Sequence, residues 1–246
     1  MVDGSSRSSL LEAPILAFLS LFAYSAPFRN FRDLQGLGDT IGLSLMIEDF
    51  GGRVASVWSE LRPTTRGLVE RALQASTTAS PQARNLPYDA RADLELSRLL
   101  TALDDRASET EASLGTEKVD RLRYIADTCA AVLQEKTQSA EVFSQLVRRA
   151  TTQRDYARVD ALADSLTRFA PSEICELARS QDVVVRALAN EALALFPTSV
   201  LVSLLSDPVD SEIGRDALRR QAVEYGSEEA RQIVSALDQV DLDSET

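Results

Sequence analysis

LARSQDVVVRALANEALALF, residues 177–196, is the stretch on which the fold turns. It reads as the end of a short leucine-bearing helix, a turn holding Asp182, a Val185-Arg186 pair, and then Ala and Leu at helical spacing as far as Phe196. An Asp at such a turn can accept the free backbone N–H groups at the start of the second helix. The neighbouring sequence repeats these parts. Ala161-Leu162-Ala163-Asp164 returns 26 residues later as Ala187-Leu188-Ala189-Asn190. The first copy runs into Phe169-Ala170-Pro171 and the second into Phe196-Pro197. A third unit carries Leu204-Leu205-Ser206-Asp207-Pro208, followed by Ile213, Arg215 and Ala217. Arg158, Arg186 and Arg215 hold related places, 28 and 29 residues apart. One pair of short helices cannot bury its apolar face alone, so successive pairs must stack.

On these residues the C-terminal part resembles the HEAT-like (armadillo-type) helical repeat. Leu177 to Phe196 carries the pattern best. Leu204 to Gly226, LLSDPVDSEIGRDALRRQAVEYG, is a looser match, with a longer turn and Gly214 where the Val of the Val-Arg pair would stand. Residues 142–170 match in their second helix alone. The resemblance spans residues 142–240 of 246 and does not reach the first 75. It implies an all-α fold, an N-terminal helical region followed by short stacked antiparallel hairpins in an α-solenoid-like array. It also implies a surface for a protein partner. Among enzymes of that family, the iron-dependent hydroxylase type relies on His-Glu pairs and the DNA-repair type on a basic groove. The bilin-lyase type has neither requirement and stays open, as do chaperone and scaffold types.

Upstream, apolar periodicity predicts further helices. Leu94, Leu96, Leu99, Leu100 and Leu103 mark one over 91–106, and Ser108 to Glu111 reads as a capping box opening a short turn before Gly115. Val119, Leu122, Ala126, Cys129 and Leu133 draw a single stripe, and Val142, Phe143, Leu146, Val147 and Ala150 draw another. Nearer the N-terminus, Ile41 and Leu45 fit a helix entered at Asp39 or Thr40 and broken by Gly51-Gly52. Val54, Val57, Trp58 and Leu61 resume the pattern until Pro63 stops it, after which Thr64 or Thr65 caps a helix with Leu68, Val69, Ala72 and Leu73 inside. The Ser/Thr/Pro-rich stretch from Ala75 to Ala90 has no apolar period. The expected organisation is therefore an N-terminal apolar helical region over 1–75, a linker over 76–90, a helical-repeat domain over 91–240 and an acidic disordered tail over 241–246.

Composition narrows the chemistry. Ten Gly and eight Pro among 246 residues are few for a β-rich chain. The formal net charge is −12, and it is uneven: residues 1–75 hold seven bases and eight acids, residues 76–246 hold 19 bases and 30 acids. Such a surface repels phosphate backbones and anionic membranes, so no nucleic acid and no membrane is expected as partner. The chain has no histidine. That excludes His-activated nucleophiles, HExxH zinc sites and the ExxH di-iron motif. Cys129 and Cys175 lack CxxC spacing and fit buried small residues. The acidic pairs Glu48-Asp49, Asp104-Asp105 and Glu228-Glu229 are adjacent, so their side chains diverge on a helix and read as solvated faces. Gly36-x-Gly38-x-x-x-Gly42 lacks the preceding strand and the spacing of a dinucleotide loop. Asp207 to Asp210 lacks the ligand alternation of a calcium loop and reads as an inter-helix turn with an N-cap. The sequence designates no catalytic, cofactor-binding or metal-ligating residue.

The run from Ala13 to Phe28, APILAFLSLFAYSAPF, is uncharged but shorter than the about 20 residues a spanning helix needs. It fits a buried helix, with a signal peptide or a membrane anchor as alternatives. Phe22, Tyr24, Phe28 and Phe31 with Arg29 and Arg32 form a candidate partner contact, because buried aromatics beside Arg are typical of interface hot spots. The expected role is a soluble, cytoplasmic, non-catalytic scaffold that binds a protein partner through repeats with an acidic surface. Two other readings stand beside it. One is an enzyme or accessory subunit of bilin-lyase-like type with a carboxylate/arginine pocket, and the other is an exported or membrane-attached helical protein.

Overall fold

Helix α1, Gly52–Glu60, begins where the sequence places two glycines. Gly51 has φ +116, a left-handed conformation that disfavours any side chain, and a Cβ there would stand 3.4 Å from the Arg106 guanidinium. In this computed structural model, residues 47, 49–75, 88–110 and 116–244 are described. They hold eleven α-helices and no strand, the all-α class expected.

Pro63 does not merely end α1. It opens α2, Pro63–Ala75, because the first turn of a helix has no use for the N–H that proline lacks. Thr65 therefore lies inside α2 rather than capping it; it is 1% exposed and donates its hydroxyl to Glu95. Helix α3 spans Ala90–Thr110, beyond the expected end at 106. Ser108 is consequently not a cap: its hydroxyl donates to the Asp104 carbonyl one turn back, at 2.9 Å. The helix continues because Ala107 still packs on the core. Helices α4, Thr116–Lys136, and α5, Ala140–Thr152, bury the two stripes seen in the sequence.

The C-terminal helices follow. Helix α6 is Tyr156–Ser165, with a short 3₁₀ turn at Leu166–Arg168. Next come α7, Pro171–Ala178, and α8, Val183–Ala194. Helices α9, Thr198–Leu204, α10, Ser211–Glu224, and α11, Glu228–Ser244, are the last among the described residues. Three pairs result: α5 packs on α6, α7 on α8, and α9 on α10. Between pairs, α7 packs on α5 and α9, while α8 packs on α6 and α10. First helices meet first helices and second meet second, and α8 also packs on α5. Helix α11 covers α10 and runs through 241–244 of the expected tail.

Residues 76–87, most of the expected linker, lie outside the described residues. The helices on its two sides share one core: α1 packs on α3, and α2 on α3 and α4. That core runs without a break from Ile47 and Phe50 through Trp58, Leu99, Leu122, Phe143 and Leu193 to Ala230. Phe143 and Phe169 meet edge to face at 5.4 Å, fixing the end of the α6 unit to α5. Among the described residues no single helix is long and apolar enough to cross a membrane; α8 and α9 reach that length together but bend by 119°.

Candidate functional site

The six residues of the sequence-derived contact, Phe22, Tyr24, Phe28, Arg29, Phe31 and Arg32, lie outside the described residues. Within the described part, polar side chains gather at two places where helices meet and at one pocket.

The first cluster centres on Arg62, between α1 and α2. Its guanidinium donates to both Asp89 oxygens, at 2.9 and 2.6 Å, and to Glu95 Oε1 at 3.0 Å. Glu95 also receives Thr65 and Arg91. The Arg62 hydrogen bond holds the Asp89 carboxyl well below the usual carboxylate range. Burial pushes Glu95 upward, but the hydrogen bonds from Thr65 and Arg62 outweigh it and leave that carboxyl lowered. Alongside, Tyr88 donates to Asp93, and burial holds the Asp93 carboxyl above its ordinary value.

The second cluster joins α3 and α4 to α5 and α6. Arg149 of α5, with only 6% of its side chain exposed, reaches Asp104 of α3 at 2.9 Å and Asp127 of α4 at 2.8 Å. Arg158 of α6 approaches Asp127 at 3.9 Å. Burial outweighs the Arg149 hydrogen bond and keeps the Asp104 carboxyl above the usual range. Cys129 lies beside this cluster, and burial pushes its thiol up to about 12. Burial likewise raises the Cys175 thiol to about 11. Both cysteines are free and buried, as their apolar stripes suggest.

The pocket, of about 250 Å³, opens between the start of α1 and α3. Its charged lining is already engaged: Arg53 pairs with Asp105 at 2.9 Å, and Arg106 donates to the Phe50 carbonyl at 2.7 Å. The neighbours Asp104 and Asp105 therefore diverge, one to Arg149 and the other to Arg53. Among the described residues no three Asp, Glu, His or Cys side chains gather as a metal ligand set.

In the C-terminal helices the capping residues have unequal fates. Asp182 accepts from the N–H groups of Val184 and Val185, as its turn position predicts. Asp155 accepts from the N–H of Arg158. Asp210 stands at the N-cap place of α10, but its carboxylate takes Arg179 at 2.6 Å and makes no cap hydrogen bond. Large apolar residues stand exposed where second helices begin: Tyr156 before α6 turns inward, Val183 and Val184 at the start of α8, and Val209 before α10. The chain matches no family model, no curated protein and no solved structure.

Arg149 was the legible omission. It sits three residues after Leu146 and seven after Val142, on the apolar face of α5, and a base there announces a buried acid partner. Arg62, Asp89 and Glu95 gave no such signal, because Arg62 meets carboxylates 27 and 33 residues away in sequence. Chemically, both clusters fix elements against one another: Arg149 bridges carboxylates of α3 and α4, and Arg62 ties the corner between α1 and α2 to the start of α3.

Proposed function

We propose that the chain is a non-catalytic protein-binding module built from HEAT-like helical repeats with an acidic surface. The order of packing carries this reading. Contacts of first helix with first and second with second recur through α5 to α10, with α8 also packed on α5, and the second helices α6 and α8 keep exposed positions. The apolar side chains exposed at those helix starts supply contact area that the fold itself does not use. The net charge of −12 favours a partner with a basic surface. The aromatic and arginine residues between Phe22 and Arg32 are a second candidate contact.

Native mass spectrometry of the full chain, purified gently from its source, tests this. The expected result is a stoichiometric protein complex that dissociates at high salt. A chain carrying a small molecule and no protein would favour the enzyme or accessory-subunit reading instead. Truncation at residue 75 is not a usable control, since α1 and α2 bury Val54, Trp58, Leu68 and Val69 in the shared core.

A further inference from the structure

We propose that the outward face of α6 and α8 receives a basic amphipathic helix of a partner protein. The inference deepens the binding-module reading and rests on it. Helices α6 and α8 pack directly together and expose the same positions, the first, second and fifth of each helix. In α6 these are Tyr156, Ala157 and Asp160, and in α8 Val183, Val184 and Ala187. Tyr156 is 53% exposed and Val183 67%, a large apolar exposure flanked by small residues that admit a close backbone.

Charge selects the occupant. The bases of these units are drawn into the fold. Arg158 turns to Asp127 and Asp155, and Arg168 donates to the Gln134 and Glu135 carbonyls. Arg186 donates to the Ser180 carbonyl at 2.7 Å, and Arg179 pairs with Asp210. Arg154, on the turn before α6, is the exposed base left beside them. The exposed carboxylates of Asp160 and Asp164 engage no partner among the described residues. They stand four residues apart on one helix, where like charges repel, and a basic partner relieves that repulsion. A symmetric pairing with the same face of a second copy would set the same carboxylates against each other, so an isologous dimer does not fit the face. A partner helix with Lys or Arg on one flank and an apolar stripe on the other complements both parts.

The test measures fluorescence anisotropy of a labelled synthetic peptide of about 18 residues, long enough for five helical turns, with a Leu/Ala stripe and a Lys flank. Binding to the full chain is compared with three variants: Asp160→Asn with Asp164→Asn, Val183→Ser with Val184→Ser, and Glu228→Gln with Glu229→Gln on α11. The first and third remove the same charge. All substituted residues are exposed, and melting curves confirm that the variants fold. The expected result is weakening of about fivefold or more for each of the first two and less than about twofold for the third. Equal weakening by the two charge variants would show general attraction to an acidic protein and overturn the assignment. So would an unchanged affinity in the valine variant, or no binding at all. Those failures touch this face alone, whereas the module reading fails on the absence of a protein complex in native mass spectrometry.

Discussion

Gly214 and Gly67 should respond in opposite directions to the same substitution. Gly214 lies in α10 and is buried where that helix crosses α9. An added Cβ would meet Leu204 Cβ at 3.0 Å and the Leu201 carbonyl oxygen at 3.2 Å. The second of these is backbone and cannot swing aside. Alanine gains about 1 kcal/mol of helix propensity over glycine, but overpacking a tight contact costs about 1–3 kcal/mol. The balance for Gly214→Ala is a loss of up to about 2 kcal/mol. Gly67 lies within α2, and nothing stands within 4 Å of its Cβ position. Gly67→Ala should keep the whole propensity gain of about 1 kcal/mol. A chain of this size moves by about 2–4 °C per kcal/mol, so melting followed by far-UV circular dichroism separates the two variants by several degrees. Gly214→Val should be worse still, because it adds two methyl groups at the same contact. A Gly214→Ala protein that melts as high as Gly67→Ala would refute the close crossing of α9 and α10.

Three further outcomes follow from the polar clusters and the thiols. Arg149→Met strands Asp104 and Asp127; a fully buried broken pair costs about 3–5 kcal/mol, and the partial exposure of both carboxylates reduces this to about 1–3 kcal/mol in urea titration. Asp89 and Glu95 are lowered in the folded chain, so their contribution is present above the unfolded carboxylate range and lost as pH falls through the folded values. The gap in Tm between the unaltered chain and Arg62→Met should therefore be widest above about pH 5 and close in acid; a gap that does not vary with pH would contradict the Arg62 cluster. Neither Cys129 nor Cys175 should react with a thiol reagent at neutral pH until the chain is unfolded, since both are buried with thiols raised to about 12 and 11.

The apolar stripes of α4 and α5 were readable because packing is written in steps of three and four. The same spacing brought out the paired helices and the Asp182 cap, all of which depend on residues close in sequence. Reading failed where a distant partner decides what a local motif does. Ser108 has the capping-box pattern, yet Ala107 holds that turn on the core and α3 passes through it. Asp210 has the cap position, yet Arg179, 31 residues before it, takes the carboxylate. Pro63 is legible as a breaker or as a first helical residue, and the burial of Thr65 against Glu95 selects the second. The exposed face of α6 and α8 was hidden for a different reason. Tyr156, Val183 and Val184 look like core residues in a sequence, and their position on the outer flank follows from which helices meet.

Hydrogen-exchange mass spectrometry of the full chain, alone and in complex with the partner it carries from its source, tests the binding-module account most directly. The account predicts slower exchange in the complex over α6 and α8, residues 156–164 and 183–191. Protection confined to the helices around the 250 Å³ pocket, or unchanged exchange across α5 to α10, would contradict it.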